Sequence, residues 1–329
     1  MIFDNILFHN VENMELTDKG YLMCRVPENV REQLNDTAKN SACYGGTGVE
    51  LRFKLKGDSA TIILNAAKIS TMEAPVIYIY YGSFQGGWEC SSRALVQGEN
   101  RIEIKKPENL EFLKKLAKEK ELPFNPEVVR IVLHYGRTYY VGVEGEVEPP
   151  TKEDLPSKTY LAYGSSITHG SLALGTTYTY PFRLSQKLGC DYINLGMPGS
   201  AQMEKSVAEH ILSRKDWDFA TVEMGINMLE MDINLFEQRV DTFTKLLEQE
   251  TRPIYATSIY GFSNPNGQED GKKFRQIVEK YAKERLRFVD GLELLNNPVY
   301  ISQDMVHPSL EGIAEITDKW YEILSKFER

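Results

Sequence analysis

The stretch "YLAYGSSITHG" (160–170) sets a run of strand type against Gly164, two adjacent serines, His169 and a second glycine. Apolar residues that stop at a glycine read as a buried strand, and a serine directly after it reads as the cap of a helix. The same residues also have a chemical reading. A serine hydroxyl is inert at neutral pH unless a base, an orienting acid and an oxyanion site converge on it. Taken alone, the stretch leaves open whether Ser165 or Ser166 is a nucleophile or neither is.

Working outward, further short apolar segments follow at regular intervals: "YINL" (192–195), "FATVEM" (219–224), "IYATS" (254–258) and "RFVD" (287–290). Helix-length segments separate them. Over Leu235 to Gln249, for example, Phe236, Val240, Phe243 and Leu247 recur at helical spacing. This alternation predicts an α/β unit, a doubly wound parallel sheet with helices on both faces. In such sheets ligands bind beyond the carboxyl ends of the strands, so the residues following each strand are the ones that matter.

Those residues carry chemistry. Gly164-Ser165-Ser166 follows the first strand, "NLGMPG" (194–199) ends the second, and Gly225-Ile226-Asn227 follows the third. After the last comes "SQDMVHPSLEG" (302–312), with Asp304 and His307 three residues apart. A hydroxyl nucleophile needs an imidazole to take its proton, and the imidazole needs a carboxylate to fix its tautomer. Asp304 and His307 fit those two parts from one loop. The oxyanion needs rigid donors, and the backbone N–H of Gly199, the side-chain amide of Asn227 and the N–H of the serine itself are of the right types. Each residue alone has a plainer reading as a helix cap, a turn glycine or a strand-end hydrogen bonder. Four such blocks in order favour catalysis.

Together the four blocks resemble the SGNH (GDSL-like) hydrolase family, over roughly Lys158 to the C-terminus. The resemblance implies a flavodoxin-like sheet, Ser166 as nucleophile, His307 and Asp304 as its partners, and an oxyanion hole of Ser166, Gly199 and Asn227. Helix geometry agrees on Ser166, since with the strand ending near Tyr163 the second residue after Gly164 begins the helix and Ser165 becomes its brace or cap. Two positions depart from the commonest family pattern: Ser165 and Met228 stand where aspartates are usual. The Gly-Ser-Ser-Ile block with a β-sandwich before it resembles the carbohydrate-esterase branch, which implies deacetylation of a small acetylated sugar or oligosaccharide without a cofactor.

That sandwich is read from residues 12 to 147, where the period is mostly two. "VELRFKLK" (49–56) alternates strictly and predicts a half-buried strand with Val49, Leu51, Phe53 and Leu55 inward. "ATIIL", "PVIYIYYG", "RIEIKK", "VVRIVLHYG" and "TYYVGVEG" follow as strands, with one short helix near Asn109 to Lys118. The spacing predicts an antiparallel β-sandwich, jelly-roll-like. The proline-containing, charged segment 144–158 holds the boundary, which gives an accessory domain at 1–150 and a catalytic domain at 151–329.

A net charge of −9 spread along 329 residues argues against nucleic acid or an anionic membrane as partner and suits a neutral or cationic substrate. The N-terminus lacks a basic region, no segment has the length and apolarity of a membrane span, and four scattered cysteines suggest free thiols, so a cytoplasmic protein is expected, with a homo-oligomer possible. No His and carboxylate cluster has metal-ligand spacing. His169 is a rival base, Glu223 reads as a buried polar residue without a role, and the rings of "VIYIYYGSF" and Trp88 fit either strand packing or a sugar platform. Two other functions fit the sequence: an esterase or thioesterase for lipid-like acyl groups, and a carbohydrate-binding protein that has lost activity.

Overall fold

The computed structural model describes residues 1–67, 75–263 and 268–327. The five apolar segments form one parallel sheet from strands Thr159–Gly164, Asp191–Gly196, Phe219–Glu223, Ile254–Thr257 and Arg287–Val289. Their order across the sheet is second, first, third, fourth, fifth. This is the flavodoxin-like order, in which the chain winds one way from the first strand and then the other, and a crevice opens above the carboxyl ends of the first and third strands.

Both faces of the sheet are covered, which is why its strands read as apolar runs rather than alternating ones. Leu161, Tyr163, Ile193, Val222 and Ala256 pack under helices Lys205–Ser213, Ile233–Leu247 and Gln268–Arg285. Tyr160, Ala162, Tyr192 and Tyr255 pack on the other side under Tyr180–Leu188 and Leu310–Leu324. Phe236, Val240, Phe243 and Leu247 are fully buried along one helix stripe, as their spacing predicts, each contributing about 1.5–3 kcal/mol of transfer free energy. Among the described residues no helix is long and apolar enough to cross a membrane.

Two antiparallel sheets occupy residues 2–148. One runs Ile2–Phe3, Ile6–His9, Glu50–Leu55, Val128–Val132, Val76–Tyr81, Phe84–Gln85, and the other Gly98–Lys105, Ser59–Ala66, Thr138–Glu144, Gly20–Cys24, Asn13–Thr17. Leu51, Phe53, Ile79 and Ile131 of the first meet Ile62, Leu64, Ile102 and Tyr140 of the second in one core. The expected helix is present as Leu110–Glu119.

Two features differ from the sequence reading. The strand Glu50–Leu55 is not half-buried: Glu50 and Arg52, on the face expected to meet solvent, are fully buried. They face the parallel-sheet half, where Arg52 forks onto Asp191 (Nη1–Oδ2 2.5 Å, Nη2–Oδ1 2.7 Å) and Glu50 accepts from Arg52 Nε (2.8 Å) and Arg130 Nη2 (2.7 Å). Charges alternate with apolar residues here because both sides are interior, one greasy and one ionic. The second difference is a pair of short helices, Glu28–Arg31 and Asp36–Asn40, too brief to carry helical periodicity. Val26, Val30, Leu34 and Ala38 from this segment join Met203, Val207 and Ile211 in the core above the parallel sheet.

The second parallel strand lies at the sheet's edge, and the sandwich satisfies its outward carbonyls. Tyr192 O accepts from His9 Nε2 (2.5 Å), Asn194 O from Asn10 Nδ2 (2.9 Å) and Arg25 Nη1 (2.8 Å), and Gly196 O from Arg25 Nη2 (2.8 Å). An open strand edge is thereby replaced by side-chain donors.

Candidate active site

The first strand ends at Gly164 and the chain turns at once into the four-residue helix Ser166–His169. Ser165 is its N-cap, with Oγ accepting from the N–H of Ile167 at 3.1 Å, as expected of a serine at this position. Ser166 is the first helical residue, so its N–H has no acceptor within the helix. Gly170 closes the turn with φ +103°. The turn is pressed against the second strand: a Cβ on Gly196 would lie 2.3 Å from the backbone nitrogen of His169.

Beneath the turn lies Glu223, buried in the third strand. Its Oε1 accepts from Ser165 Oγ (2.6 Å), and its Oε2 accepts from the Ser165 N–H (3.0 Å) and from Thr168 Oγ1 (2.7 Å). Burial pushes the Glu223 carboxyl up from its ordinary value, and the hydrogen bonds from Ser165 and Thr168 oppose that rise. The only sequence signal for this contact was a carboxylate inside an otherwise apolar strand.

Across the crevice, the loop before helix Leu310–Leu324 presents Asp304 and His307. Met305 takes a left-handed φ of +59°, and Ser302 N–H bonds His307 O at 2.7 Å, folding the loop tightly. Asp304 Oδ1 accepts from Ser302 Oγ (2.7 Å) and from the N–H groups of Val306 and His307 (both 2.9 Å), while Oδ2 meets His307 Nδ1 at 2.6 Å. Partial burial alone would raise the Asp304 carboxyl, but the hydrogen bonds from His307, Ser302 and Val306 win and hold it well below the usual carboxylate range. An ionised carboxylate only accepts, so Nδ1 carries the proton and Nε2 is left to accept. That nitrogen lies 2.8 Å from Ser166 Oγ.

The remaining two candidates stand around the same space. Gly199 sits at φ +65°, a left-handed position with no atom within 4 Å of where a Cβ would be. Asn227 uses Oδ1 to accept from the N–H of Ala201 (3.1 Å), which fixes the amide and leaves its NH₂ as the donor end. Ser166, Gly199, Asn227 and His307 all line one open cleft of about 780 Å³, with Ser171, Glu230 and the apolar Ile226, Leu229, Met231, Phe262 and Val306. All five site residues read from the sequence thus come together at the crevice, four at the cleft and Asp304 behind His307.

Other candidates go elsewhere. His169 is buried with its ring edge-on to Tyr135 at 4.3 Å and has no hydrogen-bond partner on either nitrogen; burial and Arg25 hold it well below the ordinary histidine value. It is a packing residue at the junction of the two halves, neither base nor cleft wall. Tyr78, Tyr80 and Tyr81 are buried in strand packing, so they are not a sugar platform, and Trp88, though fully exposed, does not line the cleft. The sandwich touches the cleft wall from behind through Tyr135, whose hydroxyl bonds Oγ of the cleft-lining Ser171 at 2.7 Å.

Residues 162–314 match the GDSL-like lipase/acylhydrolase family. The match lies in the C-terminal half and covers a little under half of the chain. The GDSL-like match spans all four blocks and stops short of the sandwich. A search of the curated proteins finds no match. Among solved structures, the salicylyl-acyltransferase SsfX3 from a tetracycline biosynthetic pathway is 13% identical with a TM-score of 0.75, covering 98% of this chain and 94% of that one. A putative GDSL-like lipase from Bacteroides ovatus is 17% identical with a TM-score of 0.69, covering 98% and 97%. A family two carbohydrate esterase from Clostridium thermocellum, solved with cellohexaose, is 10% identical with a TM-score of 0.58, covering 98% of each chain. At these identities the likeness is one of fold, and it extends over sandwich and GDSL-like half together.

Proposed function

We propose that the protein is a serine esterase that removes acetyl groups from carbohydrates, with Ser166, His307 and Asp304 as its triad. In this reading residues 151–329 are the catalytic domain and residues 1–150 an accessory domain that shapes it. The observation that carries it is the unbroken relay at the cleft, Ser166 Oγ to His307 Nε2 at 2.8 Å and His307 Nδ1 to Asp304 Oδ2 at 2.6 Å.

Ser166 Oγ attacks the ester carbonyl as its proton passes to His307 Nε2, and the new imidazolium is stabilised by the ionised Asp304. The N–H groups of Ser166 and Gly199 and the Asn227 amide hold the tetrahedral oxyanion. Collapse breaks the ester C–O bond, and His307 gives its proton to the departing sugar oxygen, which leaves as a hydroxyl. A water then repeats the attack on the acyl-enzyme with His307 as base, releasing acetate and restoring Ser166.

The four-block pattern with a sandwich before it supports the carbohydrate substrate, as does an open cleft large enough for a sugar ring, with Ser171 and Glu230 to meet its hydroxyls. The apolar wall of Ile226, Leu229, Met231, Phe262 and Val306 favours a second reading, an acyl group longer than acetyl. A panel of acetylated mono- and oligosaccharides, assayed for acetate beside p-nitrophenyl esters of increasing chain length, separates the two. Acetate release from sugars with no gain on longer chains supports the first, and rates that climb with chain length support the second. Turnover that survives Ser166→Ala unchanged would falsify both.

A further inference from the structure

The mechanism above leaves one ionisable side chain at the site without a part. Glu223 is 3% exposed and its hydrogen bonds come from Ser165 and Thr168, which flank Ser166 on either side. A buried carboxyl is costly to keep unless its bonds do something a smaller polar group would not. The chain makes room for it: a Cβ on Gly164 would stand 2.5 Å from Glu223 Oε2 and 2.2 Å from Thr168 Oγ1, so only glycine lets the carboxyl reach the turn.

The turn needs such a tether. Helix Ser166–His169 is four residues long, well under the length at which a helix holds its own shape. Glu223 closes the third strand, and Asn227 follows four residues later in the same strand-to-loop connection.

On the esterase reading above, we propose that Glu223 is a positioning residue, which ties the nucleophile turn to the strand delivering Asn227 and so sets Ser166 Oγ against its oxyanion donors. Ser165 and Thr168 are the two points of attachment. Glu223 supplies the brace from below. Because the tether fixes geometry rather than substrate contact, its loss acts on turnover and leaves substrate affinity alone. A displacement of about 1 Å at the nucleophile is enough to slow the reaction on the order of 10²-fold.

The test measures kcat and KM on p-nitrophenyl acetate for Glu223→Gln, Ser165→Ala, Thr168→Val and the Glu223→Gln/Ser165→Ala pair. Active sites are counted with a serine-directed phosphonate, so that misfolded protein does not enter the rate. Each single variant is expected to lose about 10- to 100-fold in kcat per site with KM within about 3-fold, and the pair to fall little below its worse parent. A kcat per site within about twofold of wild type for Glu223→Gln, a loss carried by KM, or losses that multiply in the pair would overturn the proposal. If Glu223→Gln does not fold, Ser165→Ala and Thr168→Val remove the two side-chain bonds from the other side, leaving only the one from the Ser165 N–H, and decide it by the same criteria. Ser166→Ala in the same assay reports on the esterase reading separately, since its full activity would remove the nucleophile whatever Glu223 does.

Discussion

Arg52 of the sandwich and Asp191 of the parallel sheet form a two-pronged ion pair in the interior, with both side chains at most 8% exposed. They are 139 residues apart in the chain, and Glu50 and Arg130 extend the pair into a row of four alternating charges. Such a row is stable only when every member is matched, because a buried charge left alone has no water to turn to.

Asp191→Ala is therefore expected to lose about 3–5 kcal/mol of folding stability, since it leaves the buried Arg52 and Arg130 guanidiniums to share the single Glu50 carboxylate. Urea unfolding followed by two probes, one in each half, should show both transitions moving together. A shift confined to one half would mean that the ionic row does not couple them.

Acid should act on the same row. Burial works against ionisation of both carboxyls, yet Arg130 and Arg52 hold Glu50 down to about 2, and Arg52 and His9 hold Asp191 below the ordinary carboxylate range. A carboxyl depressed in the folded state stabilises it at pH above its unfolded value near 4, and that contribution disappears as pH falls towards the folded value. The melting temperature should thus drop steeply between about pH 4 and pH 2. Asp191→Asn should flatten that slope while starting from a lower melting temperature, and an unchanged slope would count against the assignment.

Asn227 is expected to contribute through its NH₂ alone. Asn227→Asp keeps the acceptor for the Ala201 N–H but turns an anion towards the developing oxyanion. It should lose at least as much kcat as Asn227→Ala, about 10²–10³-fold, with KM little changed. Stopped-flow acylation rates would reveal it; an active aspartate variant would assign the oxyanion to other donors.

Two glycines of "NLGMPG" should answer alanine differently. At Gly199 the added methyl meets nothing and only the left-handed φ of +65° resists it, a cost of about 1 kcal/mol. At Gly196 the methyl drives into the backbone of His169 and through it displaces Ser166. Gly196→Ala should therefore lose about 10²-fold or more in kcat where Gly199→Ala keeps most of its folding stability. Equal effects on rate and melting temperature would contradict this.

The parallel sheet was legible because its strands are buried on both faces and sit between helices of clear period, so Phe236 to Leu247 and the five apolar runs stood out. The site was legible for a related reason: a parallel sheet delivers the residue after each strand to one edge, so Ser166, Gly199 and Asn227 could be placed together without coordinates. What remained hidden depends on partners distant in the chain. Nothing near Glu50 or Arg52 indicates that Asp191 will meet them, so an alternating strand read as wet on one side. Glu223 stood out only as a carboxylate in an apolar strand, and its partners stayed hidden because they belong to a turn 55 and 58 residues earlier. The tyrosines at 78, 80 and 81 looked available because rings in strands carry no mark of which side will be covered.

Residues 151–329 on their own would carry all five candidate site residues and yet be an unfinished object. Without His9, Asn10 and Arg25, three carbonyls of a rim strand would lie bare, inviting a stray chain to dock alongside them, and Asp191 would lose its counterion. The C-terminal half is for this reason not a transplantable cassette: its rim strand and its buried carboxylate are completed by side chains from the preceding 150 residues.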